Sequence, residues 1–97
     1  MRGGALWRLQ PNDYVRAVTA EALGKIGPEA KTAIPVLMAL LKDKDRDVRC
    51  AAADALGRIG PEAKTGIPSL NDLLKDKDER VRRVAADALE KIKKEKE

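Results

Sequence analysis

The sequence predicts an all-α fold built as a row of like helical units, and three observations carry that prediction. The segment Gly24-Lys-Ile-Gly-Pro-Glu-Ala-Lys-Thr32 returns 33 residues later as Gly57-Arg-Ile-Gly-Pro-Glu-Ala-Lys-Thr65. The same step relates Val15-Arg16, Val48-Arg49 and Val81-Arg82, and likewise Ile26, Ile59 and Ile92. Finally, only Trp7 and Tyr14 are aromatic, so Leu, Ile, Val and Ala must fill the interior, which is the vocabulary of helix packing. Units of this kind bury their apolar faces by leaning on one another, so the recurrence predicts an extended array that presents a surface.

The elements follow in order. Residues 1–11 are too few for a full helix, and Ala5, Leu6, Trp7 and Leu9 fit either a short apolar cap or a truncated helix. A helix is expected from about Asn12 to Ile26. The next is expected to start near Thr32, whose hydroxyl can cap free backbone amides, with Pro35 tolerated in the first turn. Ile34, Leu37, Leu40 and Leu41 then form its apolar stripe. Asp45 is placed to cap a further helix in which Val48, Ala51, Ala52, Ala55, Leu56 and Ile59 share one face. Gly60 followed by Pro61 should end it, the glycine taking a left-handed cap conformation. Glu62 to Lys64 reads as one loose turn, after which the pattern restarts at Thr65 and runs to about residue 75. A last helix begins at Asp78. Its positions matching Gly24 and Gly57 hold Glu90, and those matching Gly60-Pro61 hold Lys93-Lys94, so it is expected to continue through Lys96 as a polar cap. Five main helices result, in a single domain over 1–97 divided as 1–11, 12–44, 45–77 and 78–97.

The residues carrying this pattern, AIPVLMALLKD over 33–43 followed by DVRCAAADALGRIGPEA over 47–63, resemble HEAT repeats. The resemblance is closest to the short bacterial type first noted in phycobilisome bilin lyases, and it covers about residues 12–92. It implies a right-handed α-solenoid of antiparallel helix pairs, about two and a half repeats long, with second helices lining a concave side. It also implies protein binding as the usual activity. Nucleic-acid binders and bilin lyase-like subunits share the scaffold and stand as alternatives, since fold does not select function.

Composition narrows the chemistry. The 20 basic and 16 acidic residues leave +4, with signs finely mixed along Lys42 to Asp47 and Lys75 to Arg80, a pattern suited to soluble turns. An acidic or nucleic-acid partner is therefore the minor expectation; Arg46, Arg49, Arg80, Arg82 and Arg83 could follow phosphates, but carboxylates interleave with them and no aromatic platform accompanies them. No apolar stretch has the length of a membrane span, the start lacks a signal-peptide pattern, and a lone cysteine cannot form an intrachain disulfide, so a cytoplasmic location is expected. With no histidine, the commonest general base and metal ligand is missing. Ser69 and Cys50 have no partner for nucleophilic catalysis, and the glycines punctuate helix ends instead of cradling phosphate. No catalytic residue, cofactor or metal site is assigned.

Arg16, Arg49 and Arg82 recur beside the buried valine; they are read as stacking residues that pair with aspartates such as Asp54 or Asp87. Recognition positions are sought where the units differ. A helical wheel places Asp13, Ala17, Ala20 and Gly24 opposite the buried stripe, then Arg46, Cys50, Ala53 and Gly57, then Glu79, Arg83, Ala86 and Glu90. The candidate partner-binding groove is accordingly Asp13, Ala17, Arg46, Cys50, Ala53, Glu79, Arg83 and Ala86: small in the centre, charged at the edges, and suited to a helical segment of a partner protein. Val36, Met38 and Ala39, replaced by Ser69, Asn71 and Asp72 one unit later, form a second, smaller apolar patch, with Met38 read as core filler. The open ends and the Gly-Pro joints further suggest a homo-oligomer formed by end-to-end or helix-exchanged association.

Overall fold

The computed structural model describes residues 13–94. The chain runs through α1 (Asp13–Ile26), a 3-10 segment (Gly27–Ala33), α2 (Ile34–Leu40), α3 (Arg46–Ile59), a second 3-10 segment (Gly60–Gly66), α4 (Ile67–Leu73) and α5 (Glu79–Lys93). The expectation of five separate helices is corrected. Residues 13–40, 46–73 and 79–93 form three helices without an intervening loop, the first two redirected midway where Gly27 and Ala30, and then Gly60 and Ala63, leave helical φ/ψ.

The kink has a local cause. Gly27 and Gly60 adopt φ of +78° and +85°, where an L side chain is strained, and the following proline cannot supply the next amide hydrogen bond. At Gly60 ψ is −149°, so the residue takes an extended glycine-only conformation and not the left-handed cap the sequence suggests. Thr32 does not cap a new helix. Residues 27–33 already form a 3-10 segment, kinked at Ala30, that leads directly into α2 with the Ile34 N–H bonded to the Lys31 carbonyl, and no side-chain cap forms at Ala33.

Genuine helix starts lie at the two Asp-rich turns. Asp45 accepts hydrogen bonds from the N–H groups of Asp47 (2.8 Å) and Val48 (3.1 Å), and Asp78 does the same for Arg80 (2.9 Å) and Val81 (3.2 Å). Each satisfies two of the orphan amides of the first turn. The last helix ends at Lys93, with Lys94 at φ −81° and ψ 70°, so the expected run through Lys96 is not found within the described residues. The proposed caps at residues 1–11 and beyond Lys94 lie outside the described residues.

Packing is a row. α1 lies against α3 and α3 against α5, while α2 and α4 flank the row on α3 and α5, and the molecule measures 54 × 30 × 18 Å along its principal axes. Leu37, Leu41, Val48, Leu56, Ile59, Leu70, Val81 and Ile92 are fully buried between them. Each such side chain contributes roughly 1.5–3 kcal/mol on leaving water. Alanine completes the interior, with Ala52, Ala53, Ala55 and Ala63 at 0% exposure, which lets backbones approach closely. Met38 is half-buried against this core, as filler, and Val36 beside it is exposed.

Candidate functional site

The row arrangement leaves one long surface made by α1, α3 and α5 together. On α3, Asp47, Ala51, Asp54 and Arg58 fall at helical spacing along a single stripe that stays partly or fully exposed, Ala51 resting half-buried against the core. The same stripe on α1 is Tyr14, Val18, Glu21 and Lys25, and on α5 it is Arg80, Val84, Asp87 and Lys91. Read across the row, these residues make four lines. One is apolar (Val18, Ala51, Val84), the next acidic (Glu21, Asp54, Asp87), the third basic (Lys25, Arg58, Lys91). The remaining line changes character at each step: Tyr14, Asp47, Arg80.

A cavity of about 420 Å³ spans all three helices here, floored by Ala17, Ala51 and Val84 and edged by Glu21, Asp54 and Arg80. A smaller one of about 230 Å³ continues toward Asp13 and Tyr14, and another of about 430 Å³ toward Arg83 and Asp87. The acidic and basic lines brace each other: Asp54 meets Arg58 at 2.9 Å and Asp87 meets Lys91 at 3.2 Å, both one helical turn apart. Arg80 reaches Asp47 across the row at 3.7 Å. Tyr14 stands 75% exposed at the end of the surface.

Behind this face, arginines lock successive helices to the turns. Arg16 grips Asp43 with two hydrogen bonds, Nε to Oδ1 at 2.8 Å and Nη2 to Oδ2 at 3.1 Å. One step on, Arg49 Nη2 donates to Asp76 at 3.1 Å, while its Nη1 donates to the carbonyls of Asp43 (2.9 Å) and Lys44 (3.0 Å). Arg49 Nε lies 3.0 Å from Asp76 Oδ1 but out of line for a hydrogen bond, so that contact is ionic only. Asp43 and Asp76 each also accept the turn amide two residues on, at 2.9 Å. The stacking role expected of the arginines is thus realised for Arg16 and Arg49 through Asp43 and Asp76, while Arg82 is exposed and bonds the Asp76 carbonyl of its own turn; the expected pairing with Asp54 or Asp87 is corrected. Those two point onto the exposed face.

The electrostatics follow the contacts. Burial pulls the Asp43 carboxyl upward, but the Arg16 hydrogen bond and the Asp45 amide outweigh it and hold the group below its ordinary 3.8; Arg16 is raised in turn, chiefly by that hydrogen bond. Asp78 is lowered first by the Val81 amide, and Asp45 is lowered by its cap bonds against the opposing effect of burial. Burial pushes the Cys50 thiol up, which leaves it a poor nucleophile. Among the described residues no group of three His, Cys, Asp or Glu is placed to hold a metal ion, and no helix is long and apolar enough to cross a membrane.

This pattern of Val-Arg, Ala-rich face and Ile-Gly-Pro kink matches the family model for HEAT repeats over residues 4–89. The chain belongs to the HEAT repeat family. No curated protein matches it, and no solved structure does. HEAT repeats commonly mediate protein–protein interaction, and the family is generally a non-enzymatic scaffold fold.

Within this HEAT stack the eight groove candidates are divided. Asp13, Ala17, Cys50 and Arg83 border the surface just described. Ala53 does not: it is fully buried between helices, as are its counterpart Ala20 and the neighbouring Gly24 and Gly57. A Cβ on Gly24 would stand 3.0 Å from Ala55 Cα, and one on Gly57 equally close to Ala88 Cα. The smooth, small strip expected to be a groove floor is therefore a helix–helix contact. Arg46 sits at the turn, bonded to Asp78 at 3.1 Å, away from the cavity. On α5 the matching strip is exposed, with Glu79 bonded to Arg83 at 2.8 Å and Ala86 open. Val18, Glu21, Asp54, Arg80, Val84 and Asp87, which lie on the exposed stripe, are outside the predicted groove because the wheel is centred one residue step, about 100°, away. Their signal was present in the i, i+4 charge pairs, which mark a solvated stripe, whereas Gly and Ala recurring together mark close approach.

Proposed function

We propose that this chain is a non-catalytic scaffold for protein–protein interaction, and that the face shared by α1, α3 and α5, as the inner side of a right-handed solenoid, is its binding surface. The observation that carries this reading is the cavity of about 420 Å³ to which all three helices contribute, with an apolar floor and charged margins. An interface needs such a floor to exclude water and margins to fix register. The test is paired affinity capture with the wild-type chain, with Ala51→Glu, and with Lys31→Glu on exposed backbone away from the face. Partners lost with Ala51→Glu and kept with Lys31→Glu support the reading; partners indifferent to Ala51→Glu refute it.

Self-association is a second reading, favoured by a separate observation. Ile26 is 55% exposed although its counterparts Ile59 and Ile92 are at 1% and 0%, and Ala22 beside it is exposed where Ala55 is buried. Light scattering over a concentration series tests it, a constant monomer mass being the contrary result. Nucleic-acid binding receives no comparable support from the face, where acidic residues form a complete line. A bilin lyase-like role has no residue here that would carry it.

A further inference from the structure

The four lines differ in how they recur, and the difference specifies a ligand. We infer that the face takes an amphipathic α-helix laid across α1, α3 and α5, with an apolar residue every seventh position on Val18, Ala51 and Val84 and a basic flank against Glu21, Asp54 and Asp87.

This rests on the scaffold reading above and adds the chemistry of the partner. Neighbouring helices in a packed row lie about 8–10 Å apart, so the apolar residues Val18, Ala51 and Val84 recur at about that interval. Seven residues of an α-helix rise about 10.5 Å. One side chain per heptad therefore meets one helix of the row at each step. The width agrees too. On each helix the two lines that flank the apolar one (Tyr14, Asp47, Arg80 and Glu21, Asp54, Asp87) are seven residues apart, again about 10.5 Å, which is the diameter of one α-helix with its side chains. A helix seated on the apolar line touches both neighbours at once, whereas an extended strand would reach only one.

Charge selects the flank. The line facing one side of the bound helix is acidic at all three steps, so basic residues there gain at every heptad. The carboxylates remain available, because Asp54 and Asp87 are 41% and 56% exposed at the side chain and, among the described residues, pair with the exposed Arg58 and Lys91 on the same helix. The opposite flank meets Tyr14, Asp47 and Arg80, which read apolar, negative, positive. That sequence is not symmetric, so it sets the direction in which the helix lies.

The probes are fluorescent synthetic peptides of about three heptads, stabilised as helices, titrated into the intact chain by anisotropy. One carries Leu at every seventh position with Lys on one flank, a second has Glu on that flank, and a third has the same composition with the heptad spacing scrambled. The Lys peptide is expected to bind at least about tenfold tighter than either other, as a few charge pairs of modest strength would give. Asp54→Lys with Asp87→Lys, both at exposed positions, should invert the preference between the first two, and unchanged thermal melts would show the fold intact. Equal binding of all three peptides, absence of binding by any, or preference unmoved by the double variant overturns the inference. If captured partners remain sensitive to Ala51→Glu while the peptides show no such preference, the scaffold reading stands and the heptad helix falls. If partners ignore Ala51→Glu, the scaffold reading itself fails.

Discussion

Helices α3 and α5 share nearly the same buried stripe, yet the face each turns to the next place in the row is opposite in character. On α3 that face is Cys50, Ala53 and Gly57, all buried, and on α5 it is Arg83, Ala86 and Glu90, all exposed. Gly57 sits where a Cβ would be 3.0 Å from Ala88 Cα, tighter than ordinary contact, so any side chain there requires the facing backbone to give way. Glu90, at the equivalent position, could not be accommodated in a contact of that closeness. What makes a helix part of the interior is thus not only its apolar stripe but the absence of side chain on the adjoining face. Helix α5 keeps the first feature and abandons the second, so a further helix cannot stack on it as α5 stacks on α3.

The largest expected contrast lies in the arginines that lock the row. Arg49 and Asp76 are only 9% and 11% exposed at the side chain, so Arg49→Ala strands a buried carboxylate and two carbonyls and should cost about 3–5 kcal/mol. Arg82, the same residue one step later, is exposed and bonds only the Asp76 carbonyl, so Arg82→Ala should cost about 0.5–1 kcal/mol. Urea unfolding of the two variants measures the difference, and equal losses would show that position in the row is irrelevant.

The Gly57–Glu90 contrast comes next. Alanine favours a helix over glycine by about 1 kcal/mol, yet Gly57→Ala should destabilise by about 1–3 kcal/mol because the new methyl must push α3 and α5 apart. Glu90→Ala should change stability by less than about 0.5 kcal/mol. A stabilised Gly57→Ala protein in thermal melts would mean the helices can separate without loss.

Acid should then sharpen the view of the turns. Asp43, Asp45 and Asp78 titrate below 3.8 in the folded chain, so they stabilise it above their unfolded values, and this stabilisation is lost as the pH falls from about 4 through the folded values. Asp78→Asn keeps a capping oxygen without the titration. It should therefore lose less stability than wild type between pH 5 and pH 2, read by melts along that range. Asp78→Ala removes the cap outright and should cost about 1 kcal/mol at neutral pH.

The smallest effect belongs to the exposed face. Arg58→Ala breaks the 2.9 Å pair with Asp54, whose side chains are 52% and 41% exposed, and should cost no more than a few tenths of a kcal/mol. A large loss would reveal that the basic line is structural and not free to serve a ligand.

Much of this molecule is legible in one dimension. The 33-residue recurrence placed the capping Asp45, the buried Val48, Ala52, Ala55, Leu56 and Ile59 and the kink glycines where they are found, because each answers a local backbone or periodicity demand, whereas Ala51, expected on the same buried face, lies half-exposed on the outer stripe. Thr32 was misread, since a potential cap is silent when the preceding backbone is already helical. The arginine partners were misassigned for another reason: Asp54 is near in sequence, whereas Asp76 is brought near by packing, 27 residues away from Arg49. The strip of Ala20 and Ala53 chosen from the wheel is buried, and the exposed stripe lies one residue step, about 100°, around each helix, which a wheel alone cannot decide.

The sequence by itself determined that the chain is helical, that its modules recur, and where α3 and α5 start, because capping, glycine backbone freedom and apolar periodicity act over a few neighbouring residues. Only the tertiary structure decided which strip of small residues faces a helix and which faces water. That choice depends on the distance between backbones far apart in the chain, and Gly57 against Ala88 and Ala51 beside Val84 look alike until that distance is known.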